Sequence, residues 1–224
     1  MMISVRGIGW LTQDEYGCVV KRQRLSYGEA PGPDALAKKG IFAYPVKNFG
    51  RFDRVSRMTC FGVALALSDA GIGYSATRKQ DIGIIGTNAE GSLRSDREYY
   101  RDYINSGRTL SRGNLFIYTL PSSPVGEAAI HFGFLGPLLY AAGEENSLVP
   151  LLDTAEEMIL AGEAPVMVAG KAEEDHAVFL VLDGTAGHGG TALCGLSDAR
   201  SIVEVNPDIA GMVRKFSVLA ARKA

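Results

Sequence analysis

The side chains of this 224-residue chain that could do chemistry are few and scattered. Cys18, Cys60 and Cys194 are odd in number, far apart and form no C-x-x-C pair. That excludes a disulfide framework and a cysteine zinc site, and it fits free thiols in a reducing cytosol. His131, His176 and His188 have no i, i+4 partner and no cysteine or carboxylate at metal spacing, so no metal is expected. Each could act as a general base or simply be a structural side chain. No serine lies in a G-x-S-x-G elbow, which leaves a hydrolase triad without support. The run GTNAEGS at 86–92 comes near a phosphate-cradling loop, but no Lys follows the second glycine. Gly7-Ile8-Gly9 comes near a dinucleotide fingerprint, but position 12 is Thr instead of Gly. Neither points to a nucleotide cofactor, and none is expected. Glu144 and Glu145 form an acidic pair at the head of an apolar stretch, where a helix dipole favours negative charge.

The elements that must position these residues alternate in type. Met2–Ile8 reads as a first strand, and a polar, Gly- and Pro-bearing excursion runs on to about Pro45. Asp53–Ala70 reads as a helix with Gly71 as its stop, and Asp81–Gly86 as a buried strand. Helices are expected at Ser92–Asn105 and Ser123–His131, and strands at Leu138–Ala142 and Pro165–Ala169. The helix at Ser147–Ala161 is the best patterned. Leu148, Leu151, Leu152, Ala155, Met158 and Ile159 share one face, opposite Asp153, Glu156 and Glu157. Pro150 is harmless in its first turn, and Gly162 ends it. Ala177–Leu182 and Thr191–Leu196 flank GTAGHGG and suggest a terminal antiparallel pair, with a last amphipathic helix at Ile209–Arg222. The pattern predicts a single α/β domain over 1–224 with helix layers about a mixed, mostly parallel sheet.

Composition sets outer limits. The chain is 46% hydrophobic and 21% charged with a formal net charge of −2, which is ordinary for a globular protein and offers no basic surface for nucleic acid. No apolar run reaches the ~20 residues of a membrane span, and Arg6 interrupts the N-terminal stretch, so no signal peptide is expected. The expectation is a cytoplasmic protein.

Six segments then follow one another in a familiar order. GIGWLT at 7–12, GRFDRVSRM at 50–58, ALALSDAGI at 64–72, DIGIIGTNAEG at 81–91, HFGFLGP at 131–137 and MILAGEAPVMVAGKAEE at 158–174 resemble the β-ketoacyl synthases of the thiolase superfamily. The resemblance covers most of residues 1–183 and implies the N-terminal half of a thiolase-like condensing enzyme. In that family a Gly-Pro pair opens a strand leading to the acyl-accepting Cys at the head of a helix, where the dipole stabilises a thiolate. Counting eight residues on from Pro137, and seventeen back from Gly162, reaches position 145 both times, and residue 145 is Glu. The surrounding AGEENS at 142–147 holds no cysteine. The family's second half, with its two catalytic His residues, has no counterpart before residue 224. The long lid insertion is missing between Glu174 and Ala177.

The resemblance therefore implies a non-catalytic subunit of the chain length factor type, paired with an active synthase or with its own copy. It would meet acyl carrier protein only indirectly. Strand 138–142, with Leu138, Leu139 and Tyr140, and helix 147–161, with Leu148 and Leu151, would form the partner contacts. Phe116, Tyr118 and Leu120 in FIYTLP at 116–121 would line the tunnel end, or else serve as ordinary core side chains. The alternatives are a malonyl-thioester decarboxylase and a homodimeric acyl- or carrier-binding module.

Overall fold

The computed structural model describes residues 2–28, 32–38, 40–109, 111–142, 147–185 and 192–222. Strands β1 (Ser4–Leu11), β2 (Glu15–Cys18) and β3 (Gln23–Ser26) open the chain. Two 3-10 turns, Pro33–Lys38 and Phe49–Arg51, lead to α1 (Arg54–Asp69) and β4 (Ile82–Thr87). Then come α2 (Leu93–Asn105), α3 (Gly113–Phe116), a 3-10 turn at Ile117–Thr119, α4 (Ser123–Phe132) and β5 (Leu138–Tyr140). The remainder is α5 (Val149–Leu160), β6 (Val166–Ala172), β7 (Ala177–Asp183), β8 (Cys194–Gly195), α6 (Leu196–Val205) and α7 (Ile209–Arg222).

Among the described residues the strands form one sheet in the order β3-β2-β1-β7-β6-β4-β5, with β8 beside the start of β1. It is mixed, but not mostly parallel as the sequence suggested. Only β4–β5 and β4–β6 pair in parallel. The pairs β1–β2, β1–β7, β1–β8, β2–β3 and β6–β7 are antiparallel. The cause is connection length. The residues between β6 and β7 close a tight turn, with the Glu173 N–H on the His176 carbonyl at 2.8 Å. A tight turn permits only a hairpin, whereas a parallel neighbour needs a long crossover. The expected terminal pair is also corrected. β7 pairs with β6 and β1, β8 pairs with β1, and Leu196 starts a helix.

Helices cover both faces. On one, α1 and α4 pack on the sheet around Phe61, Val63, Leu67, Phe132 and Phe179. On the other, α5, α6 and α7 enclose Ile8, Trp10, Leu152, Met167, Leu180 and Phe216. β7 (AVFLVLD), buried at every position, lies between the two cores and so reads as a continuous apolar run. Each fully buried Leu or Phe here contributes about 1.5–3 kcal/mol.

The Gly7-Ile8-Gly9 near miss finds its purpose in this packing. A Cβ at Gly9 would lie 2.2 Å from the Ala66 backbone nitrogen, and one at Gly7 2.4 Å from that of Ala70. These glycines let α1 lie directly on β1. Helix α1 begins where Asp53 caps it, accepting the Ser56 N–H at 2.8 Å. At its other end buried Asp69 accepts the N–H groups of Ile8, Val20 and Lys21 at 2.8, 2.9 and 2.8 Å. One carboxylate thus ties α1 to β1 and to the β2–β3 turn. Burial pushes its pKa up, while those same bonds pull it back. On the far face, Arg200 of α6 bridges Asp153 and Glu156, the acidic side of α5.

Candidate functional site

Ligand sites in α/β sheets lie beyond the carboxyl ends of parallel strands. Here β4, β5 and β6 end together beside the head of α5, around a cleft of about 690 Å³. Thr87 closes β4 and donates its hydroxyl to the Ala141 carbonyl at 2.7 Å, locking the ends of β4 and β5 together. Ser147, Leu148 and Pro150 come from the head of α5, and Val203, Glu204, Pro207 and Met212 close the cleft from α6, α7 and the turn between them. Lys171, at the end of β6, adds a half-buried cation whose Nζ donates to the Pro207 carbonyl at 3.3 Å. Burial pulls its pKa below the ordinary lysine range, and Glu173 and Asp208 act in the opposite direction. Sequence reasoning missed Lys171, although it stands inside the quoted run VMVAGKAEE.

Glu145, and Glu144 with it, lies outside the described residues. No cysteine lines the cleft. Cys60 is enclosed in α1, with its thiol pushed up by burial. Burial, helped by the charge of Asp69, pushes Cys18 up to about 12. Cys194 is buried on β8. Among the described residues no group of three or more His, Cys, Asp or Glu is arranged to hold a metal.

The histidines are dispersed. His131, 6% exposed, sits among Phe42, Tyr44, Tyr74 and Phe132, its Nε2 without a hydrogen-bond partner. Burial lowers its pKa to about 4. His176 lies in the β6–β7 turn, its Nδ1 2.6 Å from Asp175. His188 lies outside the described residues. The GTNAEGS run is a strand-to-helix turn in which the Ala89 N–H donates to Glu173 at 2.8 Å, not a phosphate cradle. A second cleft beside it holds Arg54, Arg94, Glu174 and Asp175, whose charges are taken up by one another and by neighbours.

The tunnel candidates divide. Tyr118 points inward, 6% exposed, and donates to Glu127 Oε1 at 3.2 Å. Burial raises the pKa of both partners. Phe116 and Leu120 are each 55% exposed, and Phe116 rests on Tyr99 with ring centroids 5.6 Å apart. Of the contact candidates, Leu138, Leu139 and Tyr140 form β5, an outer strand that pairs only with β4 among the described residues. Leu138 is exposed, and Tyr140 lies with its hydroxyl 3.3 Å from the Asn88 side chain. Leu148 and Leu151 do not belong to a free contact surface. Both are 2% exposed, because they are packed in the chain's own second core at the cleft floor. Sequence reasoning also missed Ile130 and Leu135, both strongly exposed near β5. The available signal was an apolar Ile130 at a solvent position of α4, between buried Ala129 and His131.

A mixed sheet between two helix layers, with parallel strands ending at the head of α5, is the thiolase-like α/β fold. Residues 22–186 match the β-ketoacyl synthase N-terminal domain, and the chain belongs to that family. No curated protein matches the sequence. Among solved structures, the ishigamide ketosynthase/chain length factor is similar with a TM-score of 0.63 and 15% identity, over 87% of this chain and 65% of that one. A β-ketoacyl synthase from Burkholderia phymatum STM815 gives 0.62 and 18%, over 87% and 62%. A type II polyketide ketosynthase in complex with its acyl-carrier protein and bound to the hexaketide gives 0.54 and 12%, over 87% and 61%. At these identities the likeness is one of fold, and the chain spans less than two thirds of each relative's length. Among the described residues no helix is long and apolar enough to cross a membrane.

Proposed function

We propose that this chain is a catalytically silent ketosynthase-like subunit of the chain length factor type. In this reading it pairs with an active β-ketoacyl synthase and closes one end of the tunnel that holds the growing acyl chain. Residue 145 carries the reading: it is Glu at the position where the family places its nucleophilic Cys. A carboxylate would have to form a mixed anhydride, more labile than a thioester, and it is the poorer nucleophile. The three cysteines are buried elsewhere.

Support for pairing comes from the β5 edge. Its outer edge, which meets no strand among the described residues, would be a template for a partner's strand, and exposed Leu138, Leu120, Phe116 and Ile130 would be covered by the same contact. Tyr118 and Leu120 would then bound the tunnel, and a bulky wall residue stops growth because overpacking a closed pocket is costly. The test is co-expression with the ketosynthases of the same host, followed by pull-down and product analysis. A one-to-one complex, with products lengthened by Tyr118→Ala or Leu120→Ala, is the expected result. A homodimer that binds no synthase would overturn it, and unchanged product length would remove the tunnel assignment.

Lys171 favours one second reading. A malonyl-thioester decarboxylase must hold a carboxylate, and Lys171 gives the cleft at the head of α5 a cation that would attract one. Decarboxylation that survives Glu145→Ala and disappears in Lys171→Met would support it; no activity in any form leaves the pairing role.

A further inference from the structure

A third cleft lies away from β5, between the β2–β3 hairpin and α7. Arg22 closes one end of it: it occupies the left-handed region at φ 53° in the hairpin turn and donates from Nη2 to the Ala220 carbonyl at 2.6 Å. That bond joins the hairpin to the last turn of α7, where a cation is favoured by the exposed carbonyls. Between them remains a groove of about 500 Å³, within the range that holds small-molecule ligands.

Its floor is apolar. Trp10 and Val213 are buried beneath it, and Val218 lines it while 48% exposed. Gly17 stands opposite Trp10 in the strand register and leaves room for the ring. A Cβ there would lie 3.1 Å from Trp10 Cζ2. The Cys18 thiol points to the other face of the sheet, where it donates to the Leu65 carbonyl of α1 at 3.4 Å, so no thiol faces the groove.

Its rim is basic. Among the described residues the lining carries Arg22, Arg24 and Arg214 against one carboxylate, Glu15. Arg24 is engaged with both oxygens of Glu15, which removes that pair from the account. Arg22 has given one N–H to Ala220. Arg214 has no ion-pair partner among the described residues and keeps its whole fork. An uncommitted guanidinium above an apolar floor is complementary to a molecule with one carboxylate and one hydrocarbon chain, since the fork can hold a carboxylate with two parallel bonds.

We propose that this groove binds a single-chain aliphatic carboxylate, its chain over Trp10 and its head on Arg214. The site is separate from the β5 edge and from the cleft at the head of α5, so it stands or falls independently of the pairing role.

Trp10 is the only tryptophan of the chain, which makes the floor its own reporter. Decanoate, below its micelle concentration, would be titrated into the full chain, followed by tryptophan fluorescence and by calorimetry on the same samples. The expected result is saturable binding, at least tenfold weaker for decanol and about tenfold weaker in Arg214→Ala. In Ser217→Phe, which fills the groove from an exposed α7 position, the fluorescence change should vanish while the thermal melt is kept. Arg214→Ala, at an exposed helical position, leaves the fold intact, so its effect reads the head group alone. Absence of heat and of a fluorescence change in the folded protein would overturn the proposal. So would decanol binding as tightly as decanoate, or binding undiminished by both substitutions.

Discussion

At one margin of the sheet, β3 presents Gln23, Arg24, Leu25 and Ser26, all exposed, with Arg24 clamped to Glu15 on the neighbouring strand. At the opposite margin, β5 presents Leu138, Leu139 and Tyr140, flanked by exposed Ile130, Leu135 and Leu120. Both are short strands that stand outermost in the sheet among the described residues, so their place in the sheet does not distinguish them. The side chains do. Charged and polar residues discourage strand addition, and an apolar edge invites it. The sheet therefore has one margin suited to water and one suited to a partner. That asymmetry is what the proposed pairing draws on, beside the identity of residue 145.

The sharpest way to break the comparison is to exchange the character of the two margins. Leu138→Lys should abolish association through β5, weakening any complex by more than about a hundredfold. That is the scale expected from an uncompensated charge at an interface core. Leu25→Lys on β3 should change nothing. Sedimentation velocity across a concentration series, with and without a synthase partner, reads both. Equal effects of the two substitutions would show that the margins are not different in kind.

Next in size is the fastening behind the β3 margin. Asp69 accepts the N–H groups of Ile8, Val20 and Lys21, so Asp69→Ala strands one buried donor and two part-buried ones. At roughly 1–3 kcal/mol for the buried group, and less for the two that water can reach, the loss should be about 3 kcal/mol in denaturant melts. Asp69→Asn keeps one acceptor oxygen and should lose less. The hairpin should loosen first, visible as faster amide exchange in β2 and β3 than in β6 and β7. Uniform loosening would place Asp69 in the global core instead.

These contrasts explain what was legible in the sequence. Helices α1 and α5 were readable because their periodicity and end signals (Asp53, Gly71, Pro150, Gly162) are local, and each end fell within a few residues of expectation. The short strands were not. Four residues of β2, four of β3 and two of β8 carry too little alternation to show a period, and α6 shares its first residue with the stretch read as a strand. Sheet direction depended on how tightly a turn closes, which the apolar runs do not encode. The segment at 116–121 revealed apolar character but not phase. In a short helical piece one residue's rotation decides that Tyr118 turns inward while Phe116 and Leu120 turn outward. The Arg22–Ala220 contact, which frames the groove, spans 198 positions and leaves no local mark. The family was legible through ordered segments, each weak alone.

A smaller effect tests the apolar margin from beneath. On α4, Ile130 faces out and His131 faces in, so the helix that borders β5 has a titratable group in its packed side. The pKa of His131 is about 4 in the fold, against an ordinary value near 6.5 once unfolded. Between those values the unfolded chain binds a proton that the folded one refuses, so stability rises with pH across the window. The contribution is fully present above about pH 6.5, falls as the pH drops toward 4, and is flat below. Its full span is on the order of 3 kcal/mol. Asp69 and Glu127, whose pKa values are raised by burial, act the other way as acid is added, so the wild-type curve alone would mix the terms. The comparison with His131→Phe separates them, because Phe fits among the surrounding rings and carries no proton. The difference in unfolding free energy between the two proteins, measured from pH 7.5 to 4, should widen steadily in favour of the variant. A constant difference would mean that His131 is protonated in the fold or that α4 opens to water at no cost. In either case the apolar margin would rest on a softer base than its packing implies.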